Sequence, residues 1–165
     1  MRLKISELDL GFQNKKFKIF SKDLADRGTV YKKDIVFATL SLIKRKGCFY
    51  LNGNLEATLQ YTCVRCLIES SNKINLPINI LILEETMNYT TRTDYDVLYF
   101  SKSNDYVSLK NRFADLIALA EPIQTLCNQK CTGLCPTCGK EKSNPCNCNE
   151  HVHNDAWKKL KDLNI

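Results

Sequence analysis

The clearest pattern along the chain is the alternation of apolar and polar residues in the segment LEATLQYTC, residues 55–63. The apolar positions that share one face of this segment are Leu55, Ala57, Leu59, Tyr61 and Cys63. A period of two over this length is typical of a half-buried strand in an antiparallel sheet. The pattern therefore predicts a strand that ends at the first close pair of cysteines.

Other segments rich in β-branched and aromatic residues predict further strands. They are FKIFSKDL (residues 17–24), DIVFATLSLI (34–43), CFYLN (48–52), INLPINILILEE (74–85) and YDVLYF (95–100). Gly53 and Asn54 predict a turn after CFYLN, and Pro77 predicts an edge position or a bulge in its strand. Because the connections are short, we expect a meander of about five antiparallel strands, shaped like a barrel.

After this β-rich region the apolar residues recur with the period of a helix. The residues at i, i+3, i+4 and i+7 are Phe113, Leu116, Ile117 and Ala120, a spacing that predicts one buried helical face. Ser108 is the expected N-cap and Pro122 the expected stop, so the helix is predicted over about residues 108–121.

These elements predict the α+β class, with a β-rich body over residues 1–126 that includes the helix. Residues 127–165 form a cysteine-rich segment that we expect to pack on the body as one unit. The chain ends in NDAWKKLKDLNI, which predicts a short terminal helix capped by Asn154 or Asp155. Trp157 and Leu160 share one face of this helix, and Trp157 is expected to be a packing anchor.

Length and composition favour a globular cytoplasmic protein. The chain has 165 residues and is 44% hydrophobic, enough to build a core without help from crosslinks. No apolar run approaches the roughly 18 residues of a membrane span. The start, MRLKISELDLGF, lacks the apolar region of a secretory signal. We therefore expect a cytosolic location, where thiols stay reduced.

The net charge of +6 is unevenly distributed along the chain. The excess of basic residues lies in residues 1–60, in KKFK, YKK and KRK, while residues 61–126 carry an acidic excess. Charge alone fits either a solvated surface or a patch that contacts phosphate backbones. The candidate RNA-binding residues are Lys15, Lys16, Lys18, Lys44, Arg45 and Lys46. Phe17, Phe20 and Tyr31, interleaved with the basic residues, also fit RNA.

Eight of the nine cysteines form four close pairs, which is the pattern of metal ligands. The pairs are Cys63/Cys66, Cys127/Cys131, Cys135/Cys138 and Cys146/Cys148. A reducing cytosol and an odd cysteine count disfavour a disulfide framework. The spacings do not reproduce the common iron–sulfur runs, and CVRC at the end of a hairpin strand is not placed like a thioredoxin redox pair. Cys48 stands apart and is expected to be a small buried apolar residue.

The spacing favours two structural zinc sites with four cysteines each. Seven residues separate Cys138 from Cys146, so the last two pairs can close one compact site. The first two pairs would then form a site that closes a loop of about 60 residues. A second partition uses only ligands from Cys127 to Cys138 and leaves the first pair unused. His151 and His153 are reserve ligands that could replace a thiolate.

No catalytic residue set is visible in the sequence. It contains no P-loop, no G-x-G-x-x-G and no H-E-x-x-H motif. With four cysteines on each metal, no coordination position stays open for water. We therefore expect a protein that is not an enzyme and has no small-molecule substrate.

Taken together, the motifs resemble the YceD-like family, bacterial and plastid proteins associated with accumulation of large-subunit ribosomal RNA. The resemblance runs from about Leu55 to the end of the chain. The residues that carry it are Cys63, Arg65, Cys66, Leu67, Pro122, Cys127, Cys131, Gly133, Leu134, Cys135, Pro136, Cys138, Gly139, Cys146 and Cys148. One departure is KEKSN, which stands where the family commonly has an Asn-Leu-Asn-like turn.

This resemblance implies a non-enzymatic role in the synthesis, processing or stability of large-subunit (23S) rRNA in the bacterial cytoplasm. The implied partner is the rRNA precursor or a ribosome-assembly or processing protein, with no role for a membrane. The alternative is a cytosolic thiol or metal-handling protein, or a redox switch, whose cysteines are its working groups. Tight, slowly exchanging zinc is expected for the first function, and labile metal or a reversible disulfide for the second.

Overall fold

The structure, a computed structural model, describes residues 1–86, 95–142, 146 and 148. The strands and helices of this part follow one another in the order β1 (Arg2–Lys4), α1 (Ile5–Leu10), β2 (Phe12–Phe20), β3 (Ile35–Arg45), β4 (Cys48–Thr62), β5 (Glu69–Glu84), β6 (Asp96–Phe100), β7 (Tyr106–Ser108) and α2 (Lys110–Leu119). A single 3₁₀ turn, Ser21–Asp23, follows β2. The class is α+β, as predicted.

Five strands form one mixed sheet in the order β2-β3-β4-β5-β6. Neighbours are antiparallel except for β5 and β6, which are parallel, with Asp96 opposite Ile80 and Phe100 opposite Glu84. The prediction of an all-antiparallel meander is therefore wrong for the last strand. Eleven residues separate β5 from β6, close to the roughly dozen that a parallel connection needs.

The sheet is open in the part of the chain that the structure describes. Strands β2 and β6 form its two edges and do not pair with each other. The expectation of a barrel-like body is therefore wrong, because the pairing that would close the sheet is not made.

Strand β4 is one continuous strand of 15 residues where a turn was predicted at Gly53 and Asn54. The prediction is wrong because this glycine allows the backbones of β3 and β4 to approach closely and does not form a turn. Gly53 lies inside the sheet, and a Cβ added there would collide with the carbonyl oxygen of Thr39 in β3. A glycine in a strand can mark a close approach of two backbones as well as a turn.

Pro77 lies in the part of β5 that has β4 as its one described neighbour. It is opposite Asn54, and the pairing with β6 begins only at Ile80. β5 as a whole is an inner strand, so the predicted edge position holds only for the part of β5 before Ile80, where no described strand on the β6 side needs the N–H that proline lacks.

The main core lies between one face of the sheet and a second layer made of α1, α2 and the antiparallel pair of β1 and β7. Phe113 and Ile117 of α2 have no exposed surface, which confirms the predicted helical face. The predicted cap is wrong: Ser108 belongs to β7, where it lies opposite Arg2, and α2 begins at Lys110. Pairing with a distant strand has replaced the local role that serine often takes at a helix start.

The opposite face of the sheet carries a small second cluster at one end. Cys48, Leu81 and Leu83 are buried there beside partly buried tyrosines and a valine. This confirms Cys48 as a small buried apolar residue. The rest of this face, here called the outer face, is formed by residues that alternate with core residues, among them Lys16, Lys18, Phe20, Phe37, Asn52, Asn54, Asn75 and Asn79.

Neither described helix is long and apolar enough to cross a membrane. The predicted terminal helix lies outside the described residues, as do Trp157, Leu160 and the reserve ligands His151 and His153.

Candidate metal centres

The first pair of cysteines lies at the connection between β4 and β5. The N–H of Cys63 donates to the carbonyl of Ile68 at 2.9 Å, and the N–H of Leu67 donates to the carbonyl of Cys63 at 2.9 Å. Leu67 has a φ of +60°, in the left-handed region that tight turns use. These bonds curl the chain so that Cys63 and Cys66, both buried, project toward the same point.

The segment that follows α2 is tied to this connection by three hydrogen bonds. The N–H of Val64 donates to the carbonyl of Thr125 at 2.9 Å, and the hydroxyl of Thr125 donates to the carbonyl of Thr62 at 2.8 Å. The Nη1 of Arg65 donates to the carbonyl of Cys131 at 2.8 Å. The bonds hold the second pair of cysteines beside the first.

The first tetrad consists of Cys63, Cys66, Cys127 and Cys131, whose sulfurs all lie within 4.8 Å of one another. The sulfurs of Cys63 and Cys131 are 3.8 Å apart, and those of Cys66 and Cys127 are 3.5 Å apart. A zinc ion with Zn–S bonds of about 2.3 Å has sulfurs about 3.8 Å apart in a regular tetrahedron. The donor set and its dimensions therefore fit a tetrahedral soft metal ion.

The second tetrad consists of Cys135, Cys138, Cys146 and Cys148, again with all sulfurs within 4.8 Å of one another. The N–H of Cys135 donates to the carbonyl of Lys140 at 2.7 Å, and the N–H of Gly139 donates to the carbonyl of Cys135 at 2.9 Å. Gly139 has a φ of +71°, which a residue with a side chain rarely adopts. The CPTCG segment thus folds as a compact hook.

Backbone amides favour a thiolate at one position of each tetrad. The N–H of Cys127, as the largest influence, lowers the pKa of the Cys63 thiol to about 6. In the second tetrad the N–H of Cys138 lowers the pKa of the Cys135 thiol to about 6 in the same way. Hydrogen bonds donated to the charged form stabilise it and lower the pKa.

Neighbouring sulfurs have the opposite effect on other thiols. Hydrogen bonding with the Cys66 thiol raises the pKa of Cys127 to about 12, and hydrogen bonding with the Cys138 thiol raises the pKa of Cys148 to about 12. Four thiolates so close together repel one another, so a metal-free tetrad keeps protons that a divalent cation would displace. Each tetrad could therefore bind a metal ion and release protons.

Two of the six basic candidates are ion-paired on the core side of the sheet. Lys15 lies 2.9 Å from a carboxylate oxygen of Glu7, and Lys44 lies 2.7 Å from one of Asp9. These two ion pairs connect α1 to β2 and β3, a structural role that the run of charges in the sequence did not indicate.

The other four basic candidates are exposed and take different positions. Lys16 and Lys18 of β2 lie opposite Thr39 and Phe37, on the outer face. Arg45 ends β3, and Lys46 lies in the turn before β4 with a φ of +49°. The structure therefore does not gather the six residues into one patch.

Two residues that position the first tetrad were not assigned this role from the sequence. Arg65, between the cysteines of CVRC, and Thr125, before Cys127, make the side-chain hydrogen bonds to backbone carbonyls described above. Their proximity to the cysteines was the available signal, but which carbonyl each would reach depends on the fold.

A family model described as large ribosomal RNA subunit accumulation protein YceD matches residues 51–164, which is more than half of the chain. No curated protein matches the chain, and no solved structure matches it. The matched region includes both tetrads, β4 from Leu51 onward, β5 to β7 and α2.

Proposed function

The chain belongs to the YceD family, and from this membership we propose that it supports the accumulation of large-subunit (23S) rRNA as a non-enzymatic factor of the bacterial cytoplasm. The family description, which names accumulation of large ribosomal RNA, is the observation that carries the proposal. The implied partner is the rRNA precursor or a protein that assembles or processes it.

Zinc, in this proposal, has a structural role at both tetrads. Each tetrad offers four sulfurs and therefore leaves no coordination position for water or substrate. The first tetrad joins residues 61 positions apart, at Cys66 and Cys127. A metal that binds the assembled tetrad of the folded chain adds its binding free energy to the stability of the fold, and it holds together segments that are far apart in sequence.

The test is a strain that lacks the protein, in which we expect a lower ratio of 23S to 16S rRNA and an accumulation of 23S precursor. Complementation with the wild-type gene should restore the ratio. Purified protein, incubated with the precursor, should leave it uncut. Normal 23S levels in the strain without the protein would contradict the proposed function.

The metal itself separates this function from thiol or metal handling. For a structural role, native mass spectrometry should find two zinc ions per chain, and exchange with isotopically labelled zinc should be slow. Exchange within minutes, or a disulfide that forms and is reduced reversibly, would favour the alternative in which the cysteines are the working groups.

A further inference from the structure

The outer face of the sheet combines basic, aromatic and amide side chains and is left open by the described residues. We propose that this face binds single-stranded RNA, with bases stacked on its phenylalanines and phosphates near its lysines. The inference rests on the proposed function and deepens it, because it names the class of partner and the surface that meets it.

Two phenylalanine rings are exposed in the sheet without packing on the core. Phe20 in β2 is 50% exposed and Phe37 in β3 is 46% exposed. Phe37 lies opposite Lys18, two residues from Phe20 on the same face. Exposed rings on a sheet are platforms on which unpaired bases stack.

The charge around these rings complements a phosphate backbone. Lys16 and Lys18 are exposed, and neither forms an ion pair with a described residue. The Nζ of Lys22 lies 5.6 Å from the centroid of the Phe20 ring. The β2 end of the outer face is therefore positive, which favours an anionic ligand.

Two carboxylates of the same face lie on β4 and β5 and already have partners, although the nearer one, Glu56, is directly opposite Phe37. Glu56 is 2.6 Å from the Nζ of Lys73, and Glu69 accepts a hydrogen bond of 3.1 Å from the side chain of Gln60. Lys16 and Lys18 thus remain without a carboxylate to neutralise them among the described residues.

Four asparagines continue the outer face across its centre. Asn52 lies opposite Asn79, and Asn54 and Asn75 follow on the same face toward the β4–β5 connection. None of these four side chains makes a hydrogen bond to a described residue. Each amide offers donors and an acceptor, which suits the edges of unstacked bases.

This combination favours a single strand over a duplex or a protein. A duplex hides its base edges, and its grooves do not match a sheet face. The centre of a protein interface is depleted of lysine and rich in apolar contact area. Here Phe20 lies opposite Ile35, which shares the outer face of β3 with Phe37, so the two rings belong to one short apolar strip. Lys18 lies directly opposite Phe37, and a strip this short beside lysines suits stacked bases better than the apolar centre of a protein interface.

The experiment uses the whole chain of 165 residues, purified without chelators, and fluorescence anisotropy. The probes are a labelled RNA single strand of about a dozen nucleotides and the duplex of the same sequence, because such sites span roughly 4–16 nucleotides. The test variants are Lys16→Gln/Lys18→Gln and Phe37→Leu. The control is Lys15→Gln/Lys44→Gln, which removes the same charge from the ion-paired lysines.

We expect the single strand to bind at least about tenfold more tightly than the duplex. Lys16→Gln/Lys18→Gln should weaken binding roughly 20-fold at about 0.1 M salt and lower the slope of log affinity against log salt by about 1.4. Phe37→Leu should weaken binding about tenfold and leave the slope unchanged, because a stacking surface is lost and no charge is. The control should bind as the wild type does.

Equal binding of duplex and single strand, no measurable binding, or equal losses in test and control variants would each overturn the proposal. The failure of the proposed function is distinguishable from this. If 23S rRNA falls in the strain without the protein but the purified chain binds no RNA, the function stands through a protein partner and the outer face is not its RNA site. If the RNA binds as expected and 23S levels are normal in the strain without the protein, the RNA-binding face is supported and the proposed function is contradicted.

Discussion

The two tetrads contain the same ligands but join different parts of the molecule. The first brings the β4–β5 connection to the segment after α2, with Cys66 and Cys127 61 positions apart. The second joins ligands within residues 135–148, beside a hook that is held by its own backbone hydrogen bonds. A metal in the first tetrad would crosslink the body, whereas a metal in the second would crosslink only a short local segment.

Burial differs in the same direction, but only by one cysteine. In the first tetrad Cys63 and Cys66 are buried, with exposures of 0% and 6%, and Cys127 is exposed. In the second tetrad Cys135 is buried and Cys138 is exposed. The difference suggests that identical ligand sets need not contribute equally to stability, because the contribution depends on which chain segments the crosslink restrains.

Removing the first tetrad should have the largest effect. Cys63→Ser/Cys66→Ser should reduce zinc from two ions to one and lower the Tm of the body by roughly 10 °C, since the lost crosslink closes a long loop. Native mass spectrometry and thermal unfolding followed by circular dichroism would measure both. A Tm within about 2 °C of the wild type would show that the crosslink does not stabilise the body.

Removing the second tetrad should have a smaller effect on the same body. Cys135→Ser/Cys138→Ser should also leave one zinc ion but lower the Tm of the body by only about 5 °C or less, because the closed loop is short and local. The two double variants remove the same number of thiols, so each is the control for the other. Equal shifts in Tm would show that the two tetrads stabilise the body to the same extent and would contradict this prediction.

The tetrads were largely predictable from the sequence because ligand spacing is local. A CxxC hook brings two sulfurs together whatever the rest of the fold does. The sequence also predicted the long-range grouping of the CVRC pair with Cys127 and Cys131. That grouping followed once the last two pairs of cysteines had been assigned to each other. The structure groups the thiols in this way, and that they hold zinc stays a prediction.

The sheet was less predictable because pairing between strands is not local. The parallel direction of β6 is set by its pairing beside Ile80, far from it in sequence. A glycine in the sequence can indicate either a turn or a close approach of a neighbouring backbone. At Gly53 it is the close approach of Thr39, which only the fold reveals. Because side chains alternate along a strand, Lys15 and Lys16 lie on opposite faces of the sheet, which a count of charges along the chain cannot show.

Acidification should weaken metal binding at both tetrads. The pKa of Cys127 and that of Cys148 are raised to about 12, so both thiols are protonated at neutral pH and must lose protons when a metal binds. Apparent zinc affinity should therefore rise with pH, by about tenfold per unit for each displaced proton. Because metal binds the folded chain, the stability that it adds is present at higher pH and lost as the pH falls.

The apparent zinc affinity should fall more steeply with decreasing pH below a pH of about 6. There Cys63 and Cys135, whose pKa values are lowered to about 6, also take up protons in the metal-free chain. Competition with a chromophoric chelator at several pH values would measure the slope. An affinity independent of pH would contradict thiol ligation altogether.

The smallest effect is expected for the ninth cysteine, which lies in neither tetrad. Cys48 is 9% exposed and packs against Leu81 and Leu83 on the sheet face opposite the main core. Cys48→Ala removes one buried sulfur and leaves a small void, so a loss of about 1 kcal/mol, or roughly 2–4 °C in Tm, is expected. The zinc content should stay at two ions per chain, because no ligand has been removed. Cys63→Ala is the matched variant, since it makes the same chemical change inside the first tetrad, and it should lose one ion. Loss of zinc from Cys48→Ala would mean that this thiol is a ligand and that the division into two sets of four is wrong.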